Sequence, residues 1–257
     1  MYAIVFGMTQ DKIYIYGKHA LIEALRHSPH ALKKVFVSPN LKDPTLIAMI
    51  DRNKVPRALL SVSSLPGDVK GSDTHQGVIG VLTLDNLTIP YEKFAETLSK
   101  DPKTALVLLD EIQDPHNVGA IIRSAAAFGI SGVLIPQHNQ APVTGTVVKV
   151  SAGMAFRIPL VTIGNINSTI HDLKKRGFWI YGLEGGKNVD IGTEKFTHPS
   201  VFVLGNESKG IRQKTREHCD VLLSIPIHPR CESLNVAAST AVVLSAWSSG
   251  HPESLRK

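Results

Sequence analysis

The chain has 257 residues, and 28 Lys and Arg against 22 Asp and Glu give it a net charge of +6 and a pI of about 9.3. This length and a 43% share of hydrophobic residues suffice for one large domain or two ordinary ones, and the basic charge favours a polyanionic partner. The two cysteines, Cys219 and Cys231, exclude a disulfide framework and a four-cysteine zinc site.

No apolar run reaches the roughly 18 residues that a membrane span requires. The first eight residues are apolar, but they have no basic start and are too short for a secretory signal peptide. We therefore expect a cytoplasmic protein without membrane attachment.

The first part of the chain alternates short apolar runs with amphipathic ones, which is typical of a small α/β unit. The predicted strands are Ile13–Tyr16, Val35–Val37, Ala58–Val62 and Val78–Leu84, and the predicted helices are Lys18–His27 and Thr45–Asn53. A polar stretch follows. We predict an N-terminal domain over residues 11–85, a linker over 86–103 and a second domain over 104–250.

The second domain contains continuous apolar runs of the kind found in strands that are buried on both faces. These runs are Ala105–Leu109, Gly132–Ile135, Phe178–Tyr181, Val201–Leu204 and Val221–Ile225. They predict a parallel, doubly wound α/β sheet, in which ligands bind beyond the carboxyl ends of the strands.

The first informative loop follows the strand that ends at Leu109 and contains Pro115, Asn117 and, six residues later, Arg123. Asn117 is suited to be the N-cap of a helix that runs to about Phe128. On that helix the directions of Asn117 and Arg123 differ by about 240°, so the two side chains do not share a face. Taken alone, Asn117 is a plain cap and Arg123 a solvated charge.

The second loop, Gly205–Gly210, follows the strand Val201–Leu204 and has glycines at both ends, which allow a ligand to approach the backbone closely. It is not a P-loop, because Ile211 and Arg212 follow where that motif needs Lys and then Ser or Thr. No Gly-x-Gly-x-x-Gly fingerprint occurs in the chain, which argues against a nucleotide-dependent oxidoreductase. Taken alone, Glu207 favours the first turn of a helix.

The third loop runs from Ile225 through a basic, proline-rich turn to an Ala-rich helix that extends to Trp247. Ser233 or Asn235 is suited to cap this helix. Ala-rich helices pack closely, so the helix is also a candidate for a subunit interface.

In this order and at this spacing, the three loops resemble motifs one, two and three of the SpoU (TrmH) family of RNA ribose 2'-O-methyltransferases. The shared residues are Asn117 and Arg123, Gly-x-Glu-x-x-Gly at 205–210, Ile225-Pro226 and Ser233-Leu234-Asn235-Val236. Residues Ile15–Ala20 and His75–Gly77 resemble the family's ribosomal-protein-like RNA-binding domain. The chain is most similar to members that methylate one guanosine of 23S ribosomal RNA, and Thr215–Asp220 supports that choice.

The resemblance implies a SPOUT-type α/β catalytic domain with a C-terminal trefoil knot, preceded by a small α/β RNA-binding domain. It also implies S-adenosylmethionine as cofactor, 23S ribosomal RNA as partner, a homodimer and no metal. The implied catalytic residues are Asn117, Arg123, Glu207, Ser233 and Asn235, and the implied cofactor-binding residues are Gly205, Ile225 and Leu234. Pro229 stands where the family usually has glycine, and because proline lacks an N–H we expect a shifted cofactor loop.

Two alternatives remain. The first is a tRNA ribose 2'-O-methyltransferase of the same family, although the plain tRNA enzymes typically lack the N-terminal domain. The second is a non-catalytic RNA-binding factor of ribosome assembly, against which the intact motif residues argue.

Overall fold

A computed structural model describes residues 12–60, 75–186 and 188–256 of the chain. The chain divides into two compact units, residues 1–87 and 88–257. The first eight residues and the last two positions of the predicted strand Ala58–Val62 lie outside the described residues.

The first unit contains a four-stranded sheet in the order β1-β4-β2-β3, with helices between the strands. Strand β4 is antiparallel to both of its neighbours, whereas β2 and β3 are parallel. Helix α1 buries Leu21, Ala24 and Leu25 on one face, as its amphipathic pattern predicts. The elements are β1 (Lys12–Tyr16), α1 (Lys18–His27), a 3-10 helix (Pro29–Ala31), β2 (Leu32–Val37), α2 (Pro44–Arg52), β3 (Arg57–Leu59), β4 (Val78–Thr83) and α3 (Leu84–Leu87).

The second unit is built on an eight-stranded parallel sheet in the order β10-β12-β9-β11-β6-β7-β8-β5. Its strands are β5 (Thr88–Pro90), β6 (Ala105–Asp110), β7 (Gly132–Pro136), β8 (Leu160–Ile163), β9 (Trp179–Leu183), β10 (Val189–Asp190), β11 (Ser200–Gly205) and β12 (Val221–Ser224). Its helices are α4 (Tyr91–Ala95), α5 (Pro115–Ala127), α6 (Gly145–Val150), α7 (Ile166–Lys175), α8 (Gln213–Arg216) and α9 (Val236–Gly250), with 3-10 turns at Met154–Phe156 and Pro252–Leu255.

The central strands explain the continuous apolar runs in the sequence. Every residue of β6, β7 and β11 is buried, because helices cover both faces of the sheet. Strand β5 lies inside the segment that was predicted as a linker. It pairs with β8, and the Tyr91 hydroxyl that follows it donates a 2.7 Å hydrogen bond to Asp172 on α7.

The strand register brings the informative loops together. Gly205 at the end of β11 lies opposite Asp110 at the end of β6, and Leu223 of β12 lies opposite Leu183 of β9. Because all of these strands are parallel, their carboxyl ends form one edge of the sheet, and the three loops leave from that edge.

The C-terminal knot that the family resemblance implies stays a prediction. In the described part of the chain no helix is both long and apolar enough to cross a membrane.

Candidate active site

The first loop enters helix α5 through Asp114, not through Asn117. Asp114 is the N-cap, because its side chain accepts a hydrogen bond of 2.8 Å from the His116 amide, and Pro115 takes the first helical position. The prediction that Asn117 caps the helix is therefore wrong. Asp114 competes better for the cap because its short carboxylate lies directly before the proline, and this leaves the Asn117 amide available for other contacts.

Asn117 joins all three loops. Its side chain lies inside the first turn of α5 and is buried, with 8% of the residue exposed. Its Nδ2 donates to Oε1 of Glu207 at 3.0 Å, and its Oδ1 accepts from Nδ2 of Asn235 at 3.0 Å. One amide thus uses its donor and its acceptor on two different motifs, and this arrangement defines the site.

Glu207 lies in the second loop, before helix α8, so it is not a first-turn helix residue as its sequence position alone suggests. Its carboxylate accepts hydrogen bonds from the backbone amides of Gln113 and Asp114, both at 3.2 Å, as well as from Asn117. Burial raises the pKa of Glu207, but the hydrogen bonds outweigh it, and the net pKa is lowered from its ordinary value. Glu207 is therefore an ionised acceptor that holds the first loop, and it is poorly suited to take up a proton.

Asn235 has two roles at once. It is the N-cap of α9, where its Oδ1 accepts from the amides of Ala237 at 2.8 Å and Ala238 at 3.3 Å. The nitrogen of the same side chain donates to Asn117. The start of α9 is consequently fixed against the start of α5.

The second loop is closed on itself. Asn206 and Gly210 exchange backbone hydrogen bonds of 3.0 and 2.9 Å, and this pair lies against Gly205. A Cβ at Gly205 would lie 2.2 Å from backbone atoms of Gly210 and Ile211. Gly205 is thus required by the packing of the loop itself, whatever it contributes to a ligand.

Sequence reasoning missed a group of polar residues that ties the second loop to the first. Asp110, fully buried at the end of β6, accepts from Nε of Arg212 at 2.6 Å and from the Arg212 amide at 3.1 Å. Nδ2 of Asn206 donates to the carbonyl of Glu111 at 2.8 Å, and Glu111 has a left-handed backbone with φ of 64°. An acidic residue at the end of an otherwise apolar strand is the one signal in the sequence that marks this group.

The second and third loops and the end of β9 surround a cavity of about 330 Å³ at the carboxyl edge of the sheet, within the range of small-molecule sites. Of the predicted site residues, Gly205, Glu207, Ile225, Ser233, Leu234 and Asn235 line it. Much of the remaining wall is apolar and comes from Leu183, Leu204, Leu223, Ile227 and Val236. Pro229 is not among the lining residues. It lies in an exposed turn in which the Cys231 amide donates to the His228 carbonyl.

The chemistry of this wall fits S-adenosylmethionine. Its apolar side chains suit the adenine ring, and Asn206, Ser233 and Ser239 offer polar groups. Among the lining residues that the structure describes there are three carboxylates and no Lys, Arg or His. Such a wall suits a ligand with net positive charge and disfavours the pyrophosphate of a dinucleotide.

Two predicted catalytic residues, Asn117 and Arg123, do not line the cavity, and only Arg123 also lacks a hydrogen bond to a residue that does. Arg123 lies on an exposed face of α5, away from Asn117, and in the described part of the chain its side chain has no hydrogen bond or ion pair. The 240° separation on the helix accounts for this difference.

Comparison with known proteins assigns the family. The model of the SpoU rRNA methylase family matches residues 104–245, and the model for RNA 2'-O ribose methyltransferase substrate binding matches residues 14–87. The chain belongs to the SpoU rRNA methylase family. Asn117, Glu207 and Asn235, which are linked by hydrogen bonds beside the cavity, all lie within the matched residues 104–245.

The chain is similar to curated SpoU enzymes over nearly its whole length. It is 35% identical over 235 residues to the 23S rRNA (guanosine-2'-O-)-methyltransferase RlmB of Pseudomonas putida, which covers 90% of this chain and 93% of that protein. It is 34% identical over 233 residues to the enzyme of the same name from Neisseria meningitidis, with coverage of 90% and 92%.

Solved structures show the same fold. The SpoU methyltransferase AviRb from Streptomyces viridochromogenes, in complex with AdoMet, superposes with a TM-score of 0.79 at 21% identity and covers 94% of this chain and 91% of that chain. The TrmH/SpoU tRNA modifying enzyme of A. aeolicus reaches a TM-score of 0.53 at 25% identity and covers 63% of this chain and 82% of that chain.

The lowered pKa of Glu207 predicts how its contribution to stability depends on pH. A carboxylate whose folded pKa lies below its ordinary value of 4.5 stabilises the folded chain above that value, and the stabilisation is lost as pH falls through the folded pKa. We expect Glu207→Gln to lower Tm at pH 7, and the gap to wild type to shrink below about pH 4. Thermal unfolding from pH 7 to pH 3 measures this, with Glu253→Gln as the control far from the cavity. A gap that stays constant over this range contradicts the prediction.

Proposed function

We propose that this chain transfers the methyl group of S-adenosylmethionine to the ribose 2'-hydroxyl of a guanosine in 23S ribosomal RNA. The observation that carries the proposal is the Asn117 amide, which bonds to Glu207 of the second motif and Asn235 of the third, both of which line the cavity. The similarity to 23S rRNA guanosine methyltransferases over 90% of the chain supports the substrate. Because the proposed substrate is ribosomal RNA, we propose that the protein acts in the cytoplasm.

The bound cofactor supplies a methyl group that is already strongly electrophilic, so positioning of the ribose hydroxyl is the main task of the protein. Gly205, Ile225 and Leu234 hold the cofactor, and Ser233 and Asn235 shape the boundary between the cofactor and the target ribose. Asn117 and Glu207 fix the first loop against the second, so that these groups keep their places.

Arg123 acts on the RNA. Its guanidinium keeps its proton at neutral pH and is a poor general base, but its planar fork binds a phosphate through two parallel hydrogen bonds. We assign Arg123 to the phosphate next to the target ribose, where it fixes the nucleotide and polarises the hydroxyl. The exposure of Arg123 and its lack of a partner among the described residues are consistent with this role.

A homodimer resolves the separation between Arg123 and the cavity. We propose that Arg123 of one protomer completes the site of its partner. The C-terminal helix α9 supports an interface, because it is Ala-rich, packs against α5 and exposes Val242 to 40%.

The tRNA alternative receives less support. The relatives from Pseudomonas putida and Neisseria meningitidis, which are named for 23S ribosomal RNA, cover 90% of this chain, whereas the tRNA modifying enzyme of A. aeolicus covers 63%. The match of residues 14–87 to a substrate-binding model supports an enzyme with a dedicated RNA-binding part.

Transfer of labelled methyl groups to unmodified 23S ribosomal RNA and, separately, to unmodified tRNA tests the proposed reaction. We expect a single alkali-resistant linkage, at a guanosine of the 23S RNA. Label in tRNA alone favours the tRNA enzyme, and RNA binding without any transfer favours the assembly factor. Each of these two results refutes the proposed function.

Subunit mixing tests whether Arg123 acts across the dimer. Arg123→Ala and Asn117→Ala should each be nearly inactive alone, since each breaks both sites of its homodimer. In a mixed dimer one site combines an intact Asn117 with the intact Arg123 of the other protomer. Mixed protomers should therefore recover roughly a quarter of wild-type methyl transfer, because half of the dimers are mixed and each has one intact site. No recovery, with exchange confirmed by mass, contradicts an action in the partner's site.

A further inference from the structure

The three carboxylates that line the cavity, Glu184, Glu207 and Glu232, differ in their hydrogen bonds and ion pairs within the protein. Glu207 accepts hydrogen bonds from the first loop, as described above. Both carboxylate oxygens of Glu184 contact Nε of Arg216, at 2.9 and 3.2 Å. Glu232 has no hydrogen bond or ion pair with any residue that the structure describes. It is the one carboxylate among the described lining residues that has neither a hydrogen bond nor a cationic partner.

Glu232 is also well placed at the mouth of the cavity. It lies between Cys231 and Ser233 in the third loop. The Cys231 thiol donates a 3.0 Å hydrogen bond to the Ser233 carbonyl, and this bond spans Glu232 in a tight turn. Glu232 and Ser233 both line the cavity. The cationic side chains of the same loop, His228 and Arg230, do not line it. Lys187 lies outside the described residues.

We propose that Glu232 makes the cofactor site selective for the charged substrate over the neutral product. This inference rests on the proposed function. S-adenosylmethionine has a sulfonium, an ammonium and a carboxylate and is a monocation overall, whereas S-adenosylhomocysteine lacks the sulfonium charge and is neutral overall. A carboxylate at the mouth attracts the first and is nearly indifferent to the second.

The reaction itself removes this attraction. The S–CH3 bond breaks and its electron pair stays on sulfur, the new O–CH3 bond forms, and the hydroxyl proton passes to solvent. The cofactor thereby loses one positive charge while it is still beside Glu232. The residue thus favours entry of the methyl donor and release of the demethylated product, without any movement of the loop.

Equilibrium binding by calorimetry, without RNA and without turnover, tests the proposal. The probes are S-adenosylmethionine, S-adenosylhomocysteine and sinefungin, an analogue in which an amine replaces the sulfonium and keeps the positive charge. Glu232→Gln should weaken the two cationic ligands by about two- to fivefold, the upper part of the range for an exposed charge pair, and change the neutral ligand by less than about twofold. The effect should diminish between 0.05 and 0.5 M NaCl, because salt screens exposed charges.

Glu253→Gln makes the same chemical change outside the cavity and should leave all three affinities unaltered. Equal weakening of all three ligands by Glu232→Gln, or no weakening of any, overturns the charge selectivity. Failure of wild type to bind either S-adenosylmethionine or S-adenosylhomocysteine would instead refute the proposed function, so the two failures are distinguishable.

Discussion

The site depends on one side chain that uses both ends of its amide. Asn117 donates to Glu207 and accepts from Asn235, and no other residue type of similar size offers a neutral donor and acceptor in this geometry. Because Asn117 is buried, either link left unmade would cost the desolvation of an unsatisfied polar group. The three loops are therefore held as a unit, and the cavity lined by the second and third loops has a fixed shape before any ligand arrives.

The parallel sheet makes this contact possible. The pairing of β11 with β6 places Gly205 opposite Asp110, so the second loop begins beside the first. The buried Asp110 binds Arg212, which follows the second loop. Glu207, within the second loop, binds the backbone amide of Asp114 in the first loop. The cavity wall that results is acidic although the chain is basic overall. The protein thus separates a site for a cationic cofactor from the basic side chains that are available to RNA.

Much of this was predictable from the sequence, for physical reasons that also explain the failures. The apolar runs of β6, β7 and β11 were found because burial on both faces leaves a continuous signal, whereas β5 and β10, with three and two residues, are too short to leave one. The motif residues predicted the loops that meet, but not their hydrogen bonds, since Asn and Asp are both common N-cap residues and the sequence alone does not show that Asp114 takes this place. Arg212 was missed as a partner of Asp110 because 102 residues separate them. The charge of the cavity wall follows from long-range packing and has no counterpart in any single segment.

The measurement that tests the central claim most directly is a swap of the amide and the carboxylate between positions 117 and 207. Asn117→Asp places a second carboxylate against Glu207 and should reduce single-turnover methyl transfer by about 100-fold or more, because a like-charge pair replaces a hydrogen bond at the centre of the site. Adding Glu207→Gln restores a donor and an acceptor in reversed order and should recover at least about tenfold of that loss. A double variant that is no faster than Asn117→Asp, while it folds and binds the cofactor normally, would contradict the claim that this contact holds the site together.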